Sequence, residues 1–131
     1  MRFKESLKIE GSPAEVWKRA SVVMDIPKYW HGTRSLEIVD EQQGATRVKV
    51  GFAFGGSGRA SISKDDARRV LEIDYLSGPF TGRQLLTVGD ESVVAEWDVR
   101  FRGVIRLVSK WNEGHFRAGT AHALERLVKG T

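Results

Sequence analysis

From Thr33 to Arg102 the chain alternates apolar and polar residues with a period of two, interrupted by short turn-forming clusters. A run of half-buried strands this long constrains the fold more than any other feature of the sequence. The breakers fall at Gln43-Gly44, Gly55-Gly56, Asp65-Asp66, Ser77-Gly78-Pro79 and Gly89-Asp90, residue types that supply turn geometry. They delimit strands near 35–42, 46–54, 58–64, 69–77, 82–89 and 92–102. Connections this short are hairpins, and hairpins pair strands antiparallel. Two strands alternate cleanly. Val48, Val50, Phe52 and Phe54 share a face opposite Arg47 and Lys49, and Val93, Ala95, Trp97, Val99 and Phe101 share one opposite Glu96, Asp98, Arg100 and Arg102.

The flanks of this run differ in kind. Residues 2–10 form one more alternating strand, with Phe3, Glu5, Leu7 and Ile9 on one face. Ser12, Pro13 and Glu15 then make a capping box with proline at the first helical position. Val16, Ala20, Val23 and Met24 follow at helical spacing, and Asp25 is placed to cap a second short helix running to about Trp30. After Gly103 the period becomes helical again. Ile105, Val108, Phe116, Gly119, Ala123 and Leu127 fall on one stripe, Trp111, His115 and His122 flank it, and Gly130 stands just past the end. A long meander must bury one face, and the final helix is the one element long enough to cover it. The expected architecture is α+β: a seven-stranded curved antiparallel sheet around a long C-terminal helix, with two short helices between the first and second strands. At 131 residues, a single domain over 1–131 is expected, large enough to need no disulfide or metal staple.

Within that order, Ser12-Pro13-Ala14-Glu15-Val16-Trp17, the turn from Asp25 to Trp30, Gly78-Pro79-Phe80 and the strand ending Trp97-Asp98-Val99-Arg100-Phe101 resemble the START/birch-pollen-allergen superfamily. The likeness is strongest to its polyketide-cyclase and coenzyme-Q-binding subgroup and covers essentially the whole chain. The resemblance implies a helix-grip fold with a deep cavity between sheet and long helix, used for lipids, polyketides, sterols, quinones or hormones. It fixes architecture better than chemistry, since some members catalyse cyclisation or dehydration, some bind or carry a ligand, and some act on protein partners.

Candidate ligand-binding residues follow. Phe52, Phe54, Trp97 and Phe101 sit on apolar strand faces, where they either fill a core or offer flat surface to a ring or acyl chain. Tyr75, Glu5 and Gln84 are polar members of mainly apolar faces, placed to orient a ligand or to be satisfied near a strand end; Glu5 is also a candidate acid or base. Phe80 is expected in the loop Ser77 to Gly82, as a gate, a transient membrane-touching tip or a plug over the sheet end. Trp111 and His115, one helical turn apart, are placed either to face the cavity or, for His115, to be solvated or packed on the flank of the helix. His115 and His122 lie two turns apart, about 10.5 Å along a helix, too far to share one metal. His31 belongs to the turn leaving the second helix, near the cavity mouth. No residue pair identifies itself as catalytic.

Other classes are set aside. There is no cysteine, hence no thiolate nucleophile and no sulfur-based zinc site. Gly51 to Gly58 reads as a hairpin rather than a phosphate-binding loop, and there is no G-x-S-x-G elbow. The net charge of +4 is spread along the chain, without the clustered bases of a nucleic-acid site. The charged, alternating N-terminus carries no apolar signal segment, and a cytoplasmic location is expected. The leading expectation is therefore a carrier or binding protein for a small hydrophobic molecule, with no metal and no cofactor. A cyclase or dehydratase using the same cavity, and a regulatory domain docking on a protein partner, stand as alternatives; oligomeric state is open.

Overall fold

The computed structural model describes residues 1–103 and 109–130, and of residues 109–112 the backbone alone. The chain opens with strand β1 (Arg2–Lys8), helix α1 (Pro13–Ala20), a 3-10 turn (Val23–Asp25) and helix α2 (Ile26–Tyr29). The meander follows as β2 (Thr33–Gln42), β3 (Ala45–Phe52), β4 (Ser57–Asp65), β5 (Val70–Tyr75), β6 (Phe80–Val88) and β7 (Ser92–Phe101), and helix α3 (Ser109–Lys129) ends the chain. Among the described residues the strands form one curved antiparallel sheet in the order β1-β7-β6-β5-β4-β3-β2. The first strand thus pairs with the last, and α3 packs over β1 and β7 while α1 and α2 lean on α3. This is the helix-grip architecture expected from the alternation pattern.

The alternation decides which face is buried. Along β7, Val93, Ala95, Trp97, Val99 and Phe101 point inward, and Glu96, Asp98 and Arg100 are exposed. On the outer face the register sets Arg2 opposite Asp98 and Lys4 opposite Glu96, with an Arg2–Asp98 ion pair at 2.9 Å. Exposed pairs of this sort contribute little to stability but favour the register. The Ser12 hydroxyl accepts from the Glu15 amide at 3.3 Å and Pro13 starts α1, as the capping signal requires. α1 buries Val16, Trp17 and Ala20, and the Trp17 indole donates to Asp66 at 3.0 Å, tying α1 to the β4–β5 turn.

Four local expectations need correction. α1 stops at Ala20, so Val23 falls in the 3-10 turn, where it still packs partly buried against the core, while Met24 is 49% exposed rather than core; the turn breaks the 3.6-residue period that would have carried Met24 inward. Asp25 makes no side-chain cap to α2 but pairs with Lys28 at 3.0 Å. β3 ends at Phe52, so Phe54 sits in the β3–β4 turn, half exposed and stacked on Phe52 at 5.4 Å. Phe80 is no loop tip: it opens β6, pairs with Phe101 and is 1% exposed. A membrane-touching role for it falls with that burial.

The error at Phe80 has a physical cause in Gly82, which reads as a turn residue but lies within β6 at φ +133°. A Cβ there would collide with the backbone of Asp98 and Val99. Glycine is needed for the close approach of β6 to β7, not to end the strand. Ile105 and Val108 lie outside the described residues, as does the side chain of Trp111. On α3 the buried residues are Thr120, Ala123, Leu124 and Leu127, while Gly119, expected in the core stripe, is exposed.

Candidate functional site

The register across the inner face sets Tyr75 between small side chains. Directly opposite residues run Val48, Ala60, Tyr75, Gly82, Val99 from β3 to β7. Tyr75 is thus flanked by the two smallest side chains of the row, and its ring has no lateral neighbour of its own size. Beside it a cavity of about 260 Å3 opens between the sheet, the α2–β2 turn and α3. That lies just below the ~300–1,000 Å3 usual for small-molecule sites, and the cavity is open to solvent on one side.

Its floor is aromatic and buried: Trp30, Phe52, Tyr75, Phe80 and Trp97. These rings brace one another. Trp97 stacks on Tyr75 at 6.0 Å and on Trp30 at 5.5 Å, and meets the edge of Phe116 at 5.2 Å. Phe80 meets Tyr75 at 4.7 Å and Phe52 at 5.1 Å. Such offset and edge contacts are the favoured geometry of aromatic pairs and fix each ring in one orientation. The Trp97 indole donates to the Thr120 hydroxyl at 3.0 Å, which in turn donates to the Phe116 carbonyl at 2.7 Å. That chain locks the sheet to the middle of α3.

Two buried hydroxyls also face this space. Tyr75 and Thr33 are each 4% exposed and line the cavity; neither hydroxyl bonds to another described residue, and no fully buried side-chain N or O among the described residues lacks a partner, so both hydroxyls open onto the cavity. Each is therefore reached through the cavity and available to a guest molecule. Burial alone holds the Tyr75 phenol well above its ordinary range, which keeps it protonated as a donor. Tyr29, the other tyrosine, is raised for the same reason but is satisfied by the Ala20 carbonyl at 3.1 Å.

The rim is polar. His31 comes from the turn after α2, and Gly119, His122 and Arg126 with His115 from α3; Phe54 completes it. Of the residues singled out from sequence, Phe52, Phe54, Tyr75, Phe80, Trp97 and His115 meet at this cavity. Phe101 stands behind it, packed on Phe80 at 6.0 Å and Phe116 at 5.5 Å. Glu5 is drawn away, paired with Arg117 of α3 at 3.4 Å, and Gln84 is buried opposite Trp97 without lining the cavity. Sequence reasoning missed Trp30, Thr33, Thr120 and Arg126. The i, i+4, i+7, i+11 spacing of His115, Gly119, His122 and Arg126 was the available signal for the last. Among the described residues no His, Asp or Glu cluster is placed to hold a metal ion, and no helix is long and apolar enough to cross a membrane.

No protein-family model matches the chain, and no curated protein matches it. Solved structures do. A Thermus thermophilus protein, TTHA0849, superposes with a TM-score of 0.81 at 16% identity, over 98% of this chain and 95% of that one. The Zhui aromatase/cyclase of Streptomyces sp. R1128 gives 0.73 at 17% identity, over 99% and 92%. The di-domain aromatase/cyclase StfQ of the steffimycin biosynthetic pathway gives 0.69 at 11% identity, over 98% of this chain and 45% of that one. The chain has the helix-grip fold of these aromatase/cyclases.

Proposed function

We propose that this chain binds a small, largely apolar molecule with a planar ring system in the cavity between its sheet and α3, the whole of residues 1–131 serving as one binding unit. The observation that carries this reading is the pairing of an aromatic floor with a Tyr75 hydroxyl that has no partner among the described residues and opens onto the cavity. Aromatic walls supply affinity through stacking and desolvation, and a few fixed polar atoms supply orientation. Phe52, Tyr75, Phe80 and Trp97 would contact the guest's body, with Phe54 and His115 at the entrance. The test is a titration with phenylnaphthylamine, a neutral planar fluorophore, alongside native mass spectrometry of freshly purified protein. Saturable micromolar binding that changes tryptophan emission is expected, and an added mass that survives gentle ionisation would be the natural guest. A titration with no saturable binding overturns the reading.

A second reading, cyclisation or dehydration of a polyketide-like substrate, is favoured by the aromatase/cyclase neighbours and by a protonated phenol opposite rim imidazoles, a donor and candidate bases on one cavity. It differs from simple binding in one observable: a bound substrate would leave chemically changed.

A further inference from the structure

All three histidines of the chain line the same cavity, together with Arg126. His31 reaches it from the α2–β2 turn, while His115, His122 and Arg126 share one stripe of α3 at offsets of seven and eleven residues from the first. The chain has 17 aspartates and glutamates, yet among the described residues no carboxylate lines the cavity. The charges nearby are already engaged elsewhere: Lys28 with Asp25, Arg117 with Glu5, and Arg19 with the Leu127 and Val128 carbonyls. Arg126 is different. It is half-buried, donates once, to the Tyr29 carbonyl at 3.1 Å, and has no ion-pair partner among the described residues. A guanidinium has five N–H donors and its planar fork matches a carboxylate or sulfonate. Holding the α2 carbonyl uses one of them.

From this arrangement we infer that the guest is an acid: a planar apolar body seated on Trp97 and Tyr75, carrying one anionic group at the rim, where Arg126 binds it and the imidazole of His122 donates to it, the Nε2–H of His31 being held by the Lys28 carbonyl at 3.0 Å. The inference rests on the binding reading above and narrows its ligand class. A half-buried cation facing an apolar cavity without a carboxylate partner is compensated when an anion enters, and the His122 imidazole adds a donor without adding a competing negative charge.

The test uses two probes that share one ring system, phenylnaphthylamine and anilinonaphthalene sulfonate, titrated into the intact chain, Arg126→Gln, Arg126→Lys and Lys64→Gln. Lys64 lies on β4 away from the cavity, so its loss changes net charge without touching the rim. The sulfonate should bind the intact chain about tenfold or more tighter than the neutral probe, the scale of hydrogen bonds to a charged group. Arg126→Gln should erase that preference, bringing the two probes to equal affinity, Arg126→Lys should keep part of it, and Lys64→Gln should keep all of it. Equal binding of both probes, or a preference that survives Arg126→Gln, overturns the inference while the binding reading stands. A preference lost equally in Lys64→Gln overturns it too, assigning the effect to net charge. Failure of the neutral probe to bind at all defeats the binding reading itself, and the neutral probe doubles as the check that each variant is folded.

Discussion

Gly119 lies in the middle of α3, where glycine costs about 0.5–1 kcal/mol relative to alanine. A Cβ built at this position meets no atom within 4 Å, so a methyl there neither clashes nor strains the helix. Gly119→Ala should therefore stabilise the fold by about 0.5–1 kcal/mol, raising Tm by roughly 2–5 °C for a chain of this length. The open space it enters is the cavity that Gly119 lines. A methyl displaces about as much volume as one water, ~30 Å3, near a tenth of the 260 Å3 available. Gly119→Leu adds a whole side chain to the same space and should lower phenylnaphthylamine affinity by about tenfold or more, equivalent to ~1.4 kcal/mol. Thermal unfolding followed by circular dichroism and a probe titration on the same two variants decide the matter. If Gly119→Leu folds and binds with unchanged affinity, the cavity is not the binding site. If Gly119→Ala is destabilised by more than ~1 kcal/mol, the space beside α3 is not free and the geometric reasoning fails.

Trp97 is 3% exposed and touches Trp30, Tyr75, Phe80 and Phe116, so Trp97→Ala should cost about 3–5 kcal/mol in chemical denaturation, as large aromatic truncations in cores do; a loss below ~2 kcal/mol would mean that the ring faces the cavity more than the core. Tyr75→Phe removes a hydroxyl with no partner among the described residues, so stability should change by less than about 0.5 kcal/mol, and a loss above ~1.5 kcal/mol in urea would expose a hidden partner. Both tyrosines are held above their ordinary range by burial. The unfolded chain releases those protons near pH 10, so stability is full below about pH 10 and declines as pH climbs toward the folded values. Tyrosinate absorbance should appear together with loss of structure in an alkaline titration, and ionisation in a still-folded protein would refute the burial of these phenols.

The sheet and its closing helix were legible because alternation is a local signal: Val93 to Phe101 can be buried on one face in one way. The capping of α1 was legible for the same reason, since Ser12, Pro13 and Glu15 act within one turn. Phe80 was not, because Gly82 as a turn and Gly82 as a site of close strand approach look identical until β7 is in place. The cavity floor was half legible. Phe52, Tyr75 and Trp97 announce themselves by facing inward from strands, whereas Trp30 and Thr33 owe their position to a turn whose path depends on α3. The space itself lies between inward-facing strand residues, the α2–β2 turn and α3. That is a property of tertiary packing, which no single segment encodes.

The central claim, that a planar guest sits between sheet and α3, is tested most directly by isotope-filtered NMR on the labelled protein saturated with unlabelled phenylnaphthylamine. Magnetisation transfer from the probe should reach the rings of Tyr75 and Trp97 and the Gly119 methylene, which lie on opposite walls of one cavity. Transfer confined to exposed apolar residues such as Met24, Ile38 and Leu76, with Tyr75 and Trp97 silent, would contradict it.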